Sequence, residues 1–184
     1  WAVSINHFAR GLGAARSGDT AAAEAEQTAI SNIRKNLDPT TQPYLREEVS
    51  VHEEMLSAWI AYAGGNFPDA IRLAGAAADR EDAVDKHPVT PGEVLPAREL
   101  YADLLQATGN PAEALQNYRA LLKRSPNRFN ALLGAAQSAM AAGDRDTALR
   151  YYAALTAIAP EGSSKRAGLA EARALLGQVA SREP

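Results

Sequence analysis

The chain has 184 residues, which allows one domain or one compact array of small units and is enough to bury a core. It contains 40 alanines against 7 valines and 6 isoleucines, a balance that favours helices and excludes an all-β fold. The formal charge of −3 predicts no general attraction to nucleic acid or anionic membranes, and the lack of cysteine excludes disulfides, thiolate metal sites and cysteine nucleophiles.

No apolar run approaches the roughly 18 residues that a membrane-spanning helix needs, so membrane insertion is not expected. The chain begins at Trp1 without a basic-then-apolar signal pattern. We interpret this start as the edge of a domain cut from a longer protein, which leaves the localisation unknown.

The first predicted helix pair covers residues 2–36 and turns at Gly18 and Asp19. Glycine most readily takes the left-handed conformation that follows a helix end, and an aspartate after it can cap the next helix. The proline-containing segment 37–43 indicates a loop after this pair. The second predicted pair, 44–80, repeats the same turn with glycine at position 65.

A charged, proline-rich linker follows at residues 79–99. Its prolines cannot continue a helix, so an extended segment must cross between helix pairs here. One hypothesis is that the linker presents His87, Arg98 and Glu99 to a ligand. The other interpretation, which we favour, is a tolerated insertion held by a salt-bridge network.

The third and fourth predicted pairs, 95–125 and 129–159, follow one plan. At an offset of 34 residues the identical positions include Ala102 and Ala136, Gly109 and Gly143, Ala114 and Ala148, Leu115 and Leu149, Tyr118 and Tyr152, Leu121 and Leu155, and Pro126 and Pro160. The alanines allow two helices to approach closely, while the tyrosines and leucines supply larger apolar surfaces. We expect Asn110 to cap the second helix of the third pair, with Pro111 in its first turn.

A last amphipathic stretch, 164–179, places Leu169, Ala172, Leu175 and Leu176 on one face. It predicts a C-terminal capping helix, because the end of a helical array needs one polar face.

The 34-residue period resembles the tetratricopeptide repeat. The matching places are a small residue at the eighth position, alanine at the twentieth, an aromatic at the twenty-fourth and proline at the thirty-second, whereas the consensus tryptophan and the eleventh-place tyrosine are replaced. The resemblance implies an all-α, tetratricopeptide-like α-α superhelix. This solenoid would have about four helical hairpins plus a C-terminal capping helix, and residues 1–184 would form a single array.

In this family the first helix of each pair lines a concave binding face, so the resemblance assigns candidate partner-binding residues. They are His52, Met55, Trp59 and Tyr62 in the second pair, Glu99, Asp103 and Gln106 in the third, Asn130, Gln137 and Met140 in the fourth, and Phe8, Leu12 and Arg16 in the first. We predict that a partner buries apolar side chains on Trp59, Met55 and Tyr62. The acidic and amide side chains would make polar contacts that fix its position along the groove. The alternative is that Trp59, Tyr62 and Phe8 are core side chains.

The stretch from His87 to Leu100 is similar to the C-terminal repeat region of larger bacterial tetratricopeptide-like proteins. This resemblance implies a longer parent protein in a bacterial cytoplasm or periplasm, but no activity.

No pattern in the sequence indicates catalysis. His52 and Glu53 begin like the helix of a zinc protease, but the required second histidine would stand at position 56, which is leucine. There is neither a nucleophile elbow nor a glycine-rich phosphate loop. We therefore expect no enzymatic activity and no cofactor.

Together these patterns favour a non-catalytic scaffold that binds a protein or peptide. Two alternatives stay open. One is a small-molecule or metal-binding regulatory domain centred on His52, His87 and Glu99, and the other is a self-association module in which a second copy covers exposed apolar surface.

Overall fold

The computed structural model describes residues 1–84, 94–160, 162 and 164–181, and these ranges contain nine α-helices and no strand. In chain order they are α1 (Ala2–Arg16), α2 (Thr20–Asn36), α3 (Pro43–Ala63), α4 (Phe67–Asp82), α5 (Ala97–Ala107), α6 (Pro111–Arg124), α7 (Phe129–Ala141), α8 (Arg145–Ile158) and α9 (Ala167–Ala180). Short turns join α1 to α2, α3 to α4, α5 to α6 and α7 to α8. The prediction of an all-α fold of helical hairpins with a final helix is confirmed.

Each of these four short turns contains one glycine in the left-handed region. The φ angles are 84° at Gly18, 80° at Gly65, 81° at Gly109 and 81° at Gly143. The residue after each glycine donates its backbone N–H to a carbonyl five residues back, for example Asp144 to Ala139 at 2.9 Å. This hydrogen bond caps the C-terminus of the first helix and reverses the chain direction, so that the second helix can begin.

Three of the four turns also have a side-chain cap on the second helix. The capping oxygens of Asp19, Asn66 and Asp144 accept hydrogen bonds from the backbone N–H groups of Ala22, Asp69 and Thr147, at 3.0, 3.4 and 3.1 Å. The predicted cap at Asn110 is wrong, because its side chain makes no cap bond to α6. Its amide nitrogen instead lies 3.3 Å from the carbonyl oxygen of Thr108 and 3.1 Å from the hydroxyl of that residue.

The chain divides into two compact units, residues 1–104 and 105–184, with α5 contributing to both. We call them unit 1 and unit 2. The single array over 1–184 stays a prediction.

Unit 1 buries many small side chains between its helices. The fully buried residues include Ala23, Ala74, Ala77 and Ala78 beside Ile30, Val49 and Leu56. Gly11 of α1 lies so close to Leu56 that a Cβ atom there would come 2.6 Å from the leucine Cδ2. The helices approach closely because these positions carry little or no side chain.

Unit 2 is built around two buried tyrosines, Tyr118 of α6 and Tyr152 of α8. Ala114, Ala136 and Ala148 are fully buried, as the repeat pattern predicted. Large rings and alanines therefore alternate in the core, which fits the close approach of paired helices.

The final helix begins later than predicted. Arg166 has the extended backbone angles φ −62° and ψ 133°, so α9 starts at Ala167 rather than at position 164. Leu169 and Ala172 are buried, which confirms the apolar face predicted for this helix.

Candidate protein-binding surfaces

Two of the anchors predicted on α3 are core residues. Met55 is fully buried and Trp59 is 5% exposed, and both belong to the hydrophobic core of unit 1. The reason is that α3 packs against α1, α2 and α4, so most of its circumference is covered. The prediction that a partner meets these two side chains is wrong for this conformation, and the core alternative holds for Trp59 and also for Phe8.

Neighbouring side chains cover Trp59. The guanidinium of Arg16 lies 4.3 Å from the indole centroid, and the ring of Tyr62 packs edge-on at 5.6 Å. Tyr62 in turn contacts Phe67, whose ring centroid is 5.4 Å away and which is 46% exposed. The accessible aromatic surface of this region is therefore at Phe67 and the half-buried Tyr62.

The two acids predicted to face a partner from α5 are engaged within unit 1. A guanidinium nitrogen of Arg16 donates to the carboxylate of Asp103 at 2.8 Å. Glu99 is 2% exposed. A partner contact at Glu99 is therefore wrong in this structure because the side chain is buried, whereas the role of the partly exposed Asp103 stays a prediction.

Arg98 ties the start of α5 to the end of α4. Its guanidinium nitrogens lie 2.6 Å from the carboxylates of both Asp79 and Asp82. The salt-bridge network expected at this linker is present at the linker's two ends. His87 lies outside the described residues, so a ligand role for it stays a prediction.

Three polar residues predicted for the groove of unit 2 hold neighbouring helices instead. The side-chain oxygen of Gln106 accepts from the hydroxyl of Ser138 at 3.1 Å, that of Asn130 accepts from Arg166 at 2.8 Å, and the amide of Gln137 donates to Glu171 at 2.8 Å. Arg166 immediately precedes α9 and Glu171 lies on it. The final helix and the residue before it therefore occupy the side of α7 that the sequence assigned to a partner.

Glu171 also fixes the buried Tyr152, whose hydroxyl donates to its carboxylate. Burial and this hydrogen bond raise the pKa of Tyr152 above its usual value. The contact is a packing feature of unit 2, and it gives the carboxylate of Glu171 a partner on the inner side of α9.

His52 is the predicted residue that does line a cavity. Its ring stacks on Phe8, with centroids 4.9 Å apart and planes 17° from parallel. The hydroxyl of Ser4 donates to the carbonyl oxygen of Trp1 at 2.6 Å and lies 3.1 Å from Nδ1 of His52. Because the Ser4 hydrogen is used, Nδ1 carries the imidazole proton and donates, which leaves Nε2 as a hydrogen-bond acceptor.

The imidazole of His52 is neutral at pH 7. Burial lowers its pKa to about 4, with a smaller contribution from the α-amino group of the first residue. Among the described residues, Nε2 has no hydrogen-bond partner. His52 therefore contributes a neutral acceptor to the cavity, beside the ring of Phe8.

The cavity has a volume of about 100 Å³, and its lining residues all belong to unit 1. They are Trp1, Ile5, Phe8, Ala9, Glu48, Val51, His52, Glu81, Val94 and Leu95. Most of these side chains are apolar, two are carboxylates, and lysine and arginine are lacking from this described lining. We call this space the His52 cavity.

The metal-site alternative centred on His52, His87 and Glu99 has no support from the described residues, which do not include His87. Within the part of the chain that the structure describes, no group of three or more histidine, aspartate and glutamate side chains could hold a metal ion. Nδ1 of His52 is hydrogen-bonded to Ser4, and the side chain of Glu99, in α5, is buried.

Sequence reasoning missed a second depression, which lies in unit 2. It has a volume of about 480 Å³ and is lined by Arg119, Leu122, Pro126, Leu132, Thr147, Arg150, Tyr151 and Ala154, from α6, α7 and α8 and the turn after α6. We call it the α6/α8 cleft. Its arginines stand on the second helices of their pairs, which the family pattern does not assign to binding.

The separate charges of the two units are the signal that could have indicated a basic surface on unit 2. Residues 1–104 contain 9 lysines and arginines against 16 aspartates and glutamates, a formal charge of −7. Residues 105–184 contain 10 against 6, a formal charge of +4. The total of −3 conceals this asymmetry, and for that reason the net charge gave no sign of a basic surface.

The family comparison agrees with the repeat pattern. Residues 105–169 match the family model of the tetratricopeptide repeat. This part of the chain is similar to the tetratricopeptide repeat. Repeats of this kind stack helical hairpins into extended surfaces that bind other proteins.

A solved structure shares the tetratricopeptide-like fold. PcrH from Pseudomonas aeruginosa is 20% identical to the chain, with a TM-score of 0.55, over 71% of this chain and 92% of PcrH. No curated protein matches the chain significantly. Of the helices described, none has the length and apolar character to cross a membrane.

Proposed function

We propose that the chain is a non-catalytic protein-binding scaffold whose unit 1 takes up an apolar side chain of a partner in the His52 cavity. The observation that carries this proposal is the cavity, an apolar recess of about 100 Å³ beside the stacked rings of Phe8 and His52. An apolar protein cavity of about 150 Å³ binds benzene, so a recess of this size suits a small aliphatic side chain. The tetratricopeptide fold supports the general class.

The polar groups of the cavity specify what should flank that side chain. Nε2 of His52 is an acceptor, and Glu48 and Glu81 add negative charge to the lining. Unit 1 as a whole carries a formal charge of −7. We therefore infer that the partner segment has an aliphatic residue next to a lysine or arginine.

A peptide selection tests this proposal. Peptides displayed on phage are selected against the chain, and the expected result is enrichment of sequences with an aliphatic residue beside a basic one. Ala9 lines the cavity and is exposed, so the fold should tolerate Ala9→Phe and the new ring should fill the cavity. This variant should bind the enriched peptides at least about tenfold more weakly.

Asn6→Phe is the matched control, since it adds the same ring to an exposed position of α1 outside the cavity. Unchanged binding by Ala9→Phe, or selected peptides without a shared aliphatic position, would contradict the proposal. Sedimentation velocity covers the self-association alternative: a dimer that Ala9→Phe dissociates would show that a second copy, not a foreign protein, fills the cavity.

A further inference from the structure

We propose that unit 2 carries a second binding site, the α6/α8 cleft, for an acidic protein segment anchored by an apolar side chain. This site shares no residue with the His52 cavity. It can therefore be present or absent independently of the function proposed for unit 1.

The cleft has an apolar floor below a basic rim. Leu122, Leu132 and Thr147 are buried at its base, and the half-buried Tyr151 forms part of its wall. Arg119 and Arg150 line the same cleft from exposed positions on α6 and α8. An apolar side chain entering this space would be desolvated at the floor, with two guanidinium groups within reach of its flanking residues.

The arginines of the cleft are paired less closely with carboxylates than most arginines of unit 1 are. Arg10, Arg16, Arg80 and Arg98 each have a carboxylate oxygen within 2.8 Å. Arg119 has a carboxylate of Asp144 only at 3.9 Å, and Arg150 donates to the hydroxyl of Thr147 at 2.7 Å. Strong charge-assisted bonds are therefore still available to both guanidinium groups.

Asp144 is the internal competitor for these cations. One carboxylate oxygen caps α8 through the backbone N–H of Thr147, and another is the distant partner of Arg119. An incoming carboxylate that reached Arg119 at ordinary hydrogen-bond distance would replace a contact of 3.9 Å with a stronger one. The charge of unit 2, +4, acts in the same direction and favours acidic partners over basic ones.

A protein segment fits this cleft better than nucleic acid. Binding to a nucleic acid strand depends on many phosphate contacts and on stacking of bases on exposed aromatic side chains. The cleft has two cations on its rim, and its aromatic side chain, Tyr151, is half-buried in the wall. Its apolar floor matches an aliphatic or aromatic side chain instead.

The test uses a fluorescein-labelled nonapeptide with one central phenylalanine between aspartates, and its binding to the full chain is measured by fluorescence anisotropy. Two counterparts are measured beside it: the same peptide with asparagine for every aspartate, and one with alanine for the phenylalanine. We expect both to bind at least about tenfold more weakly, and we expect the acidic peptide to weaken strongly between about 50 and 500 mM salt.

Variants of the chain locate the site. Arg119→Gln and Arg150→Gln should each weaken the acidic peptide about fivefold to tenfold, whereas Arg145→Gln, an exposed arginine of α8 outside the cleft, should leave it unchanged. Asp144→Asn should tighten binding a few fold, because asparagine caps a helix as well as aspartate but does not compete for the arginines. These substitutions are at exposed positions, and circular dichroism of each variant checks that it is folded.

Three results would overturn the proposal. One is equal weakening by all three arginine variants, which would mean a general charge effect. Another is an asparagine peptide that binds as well as the acidic one. The third is a single-stranded oligonucleotide that binds more tightly than the peptide and depends on Arg119 and Arg150, which would make the cleft a nucleic acid site.

Discussion

The ring of Tyr118 lies directly over the backbone of Gly134, so that a Cβ atom at Gly134 would come 2.3 Å from Cζ of the tyrosine. Gly134→Ala should therefore push α6 and α7 apart. Overpacking of this kind costs about 1–3 kcal/mol, and the higher helix propensity of alanine offsets at most about 1 kcal/mol. We expect a net loss of about 1–2 kcal/mol in the free energy of unfolding, measured by urea titration.

Gly13→Ala is the opposite case and serves as its control. Gly13 is exposed in α1, and a Cβ atom there would have nothing within 4 Å. The substitution should stabilise the chain by about 0.5–1 kcal/mol through helix propensity alone. A stabilising effect at both glycines would show that Tyr118 moves aside at no cost.

His52 should make the stability depend on pH between about 6.5 and 4. Its pKa in the folded chain is lowered to about 4 by burial, so below pH 6.5 the unfolded chain binds a proton that the folded chain does not. Stability should fall as the pH falls through this window, by a total on the order of 3 kcal/mol, and then level off with respect to this group. Urea unfolding at several pH values measures it, and His52→Leu should remove this part of the dependence. An NMR titration giving His52 an ordinary pKa near 6.5 would contradict the burial of its ring.

Glu26 should make the stability depend on pH in a more acidic range, between about 4.5 and 2. Arg10 and His7 donate to its carboxylate at 2.8 and 2.6 Å, and these hydrogen bonds lower its pKa to about 2. The stabilisation from the carboxylate is complete above the ordinary pKa of about 4.5 and is lost as the pH falls towards 2. Glu26→Gln should therefore be less stable than the parent at neutral pH and equally stable near pH 2. Thermal unfolding at both ends of the window checks this, and a constant difference between the two chains would count against the pairing.

The hairpin turns predict different effects for two similar residues. The carboxylate of Asp144 caps α8 through Thr147, whereas the side chain of Asn110 makes no cap bond to α6. Asp144→Ala should lower the melting temperature by about 2–5 °C, and Asn110→Ala by clearly less. Differential scanning calorimetry of the two variants gives the comparison directly, and equal losses would mean that the cap bond contributes nothing.

The sequence predicted those features that depend on local chemistry. Gly109 and Gly143 end their helices in the left-handed region, and Ala114 and Ala148 are buried where the repeat offset placed them. A 34-residue period shows which residues lie on the first helix of a pair. It does not show which side of that helix a neighbour covers.

The wrong predictions at the candidate site arise because the repeat pattern does not show which side of a helix is covered by a neighbour. Arg16 covers Trp59, and Arg166 reaches Asn130 across 36 positions, contacts that no single repeat contains. His52 lines a cavity, but that cavity also depends on Phe8 and Leu95, which belong to other helix pairs. The α6/α8 cleft was missed because its arginines lie outside the helices that the family pattern assigns to binding.

The glycine turns have a consequence for the history of the chain. Each one is closed by the bond from the residue after its glycine to a carbonyl of the helix just completed, for example Asn66 to Ala61 at 2.9 Å. Everything that folds the hairpin back therefore lies within a few residues of coding sequence. A duplication whose ends fell between two hairpins would copy a turn that already works, and the 34-residue offset between the third and fourth pairs fits such an origin.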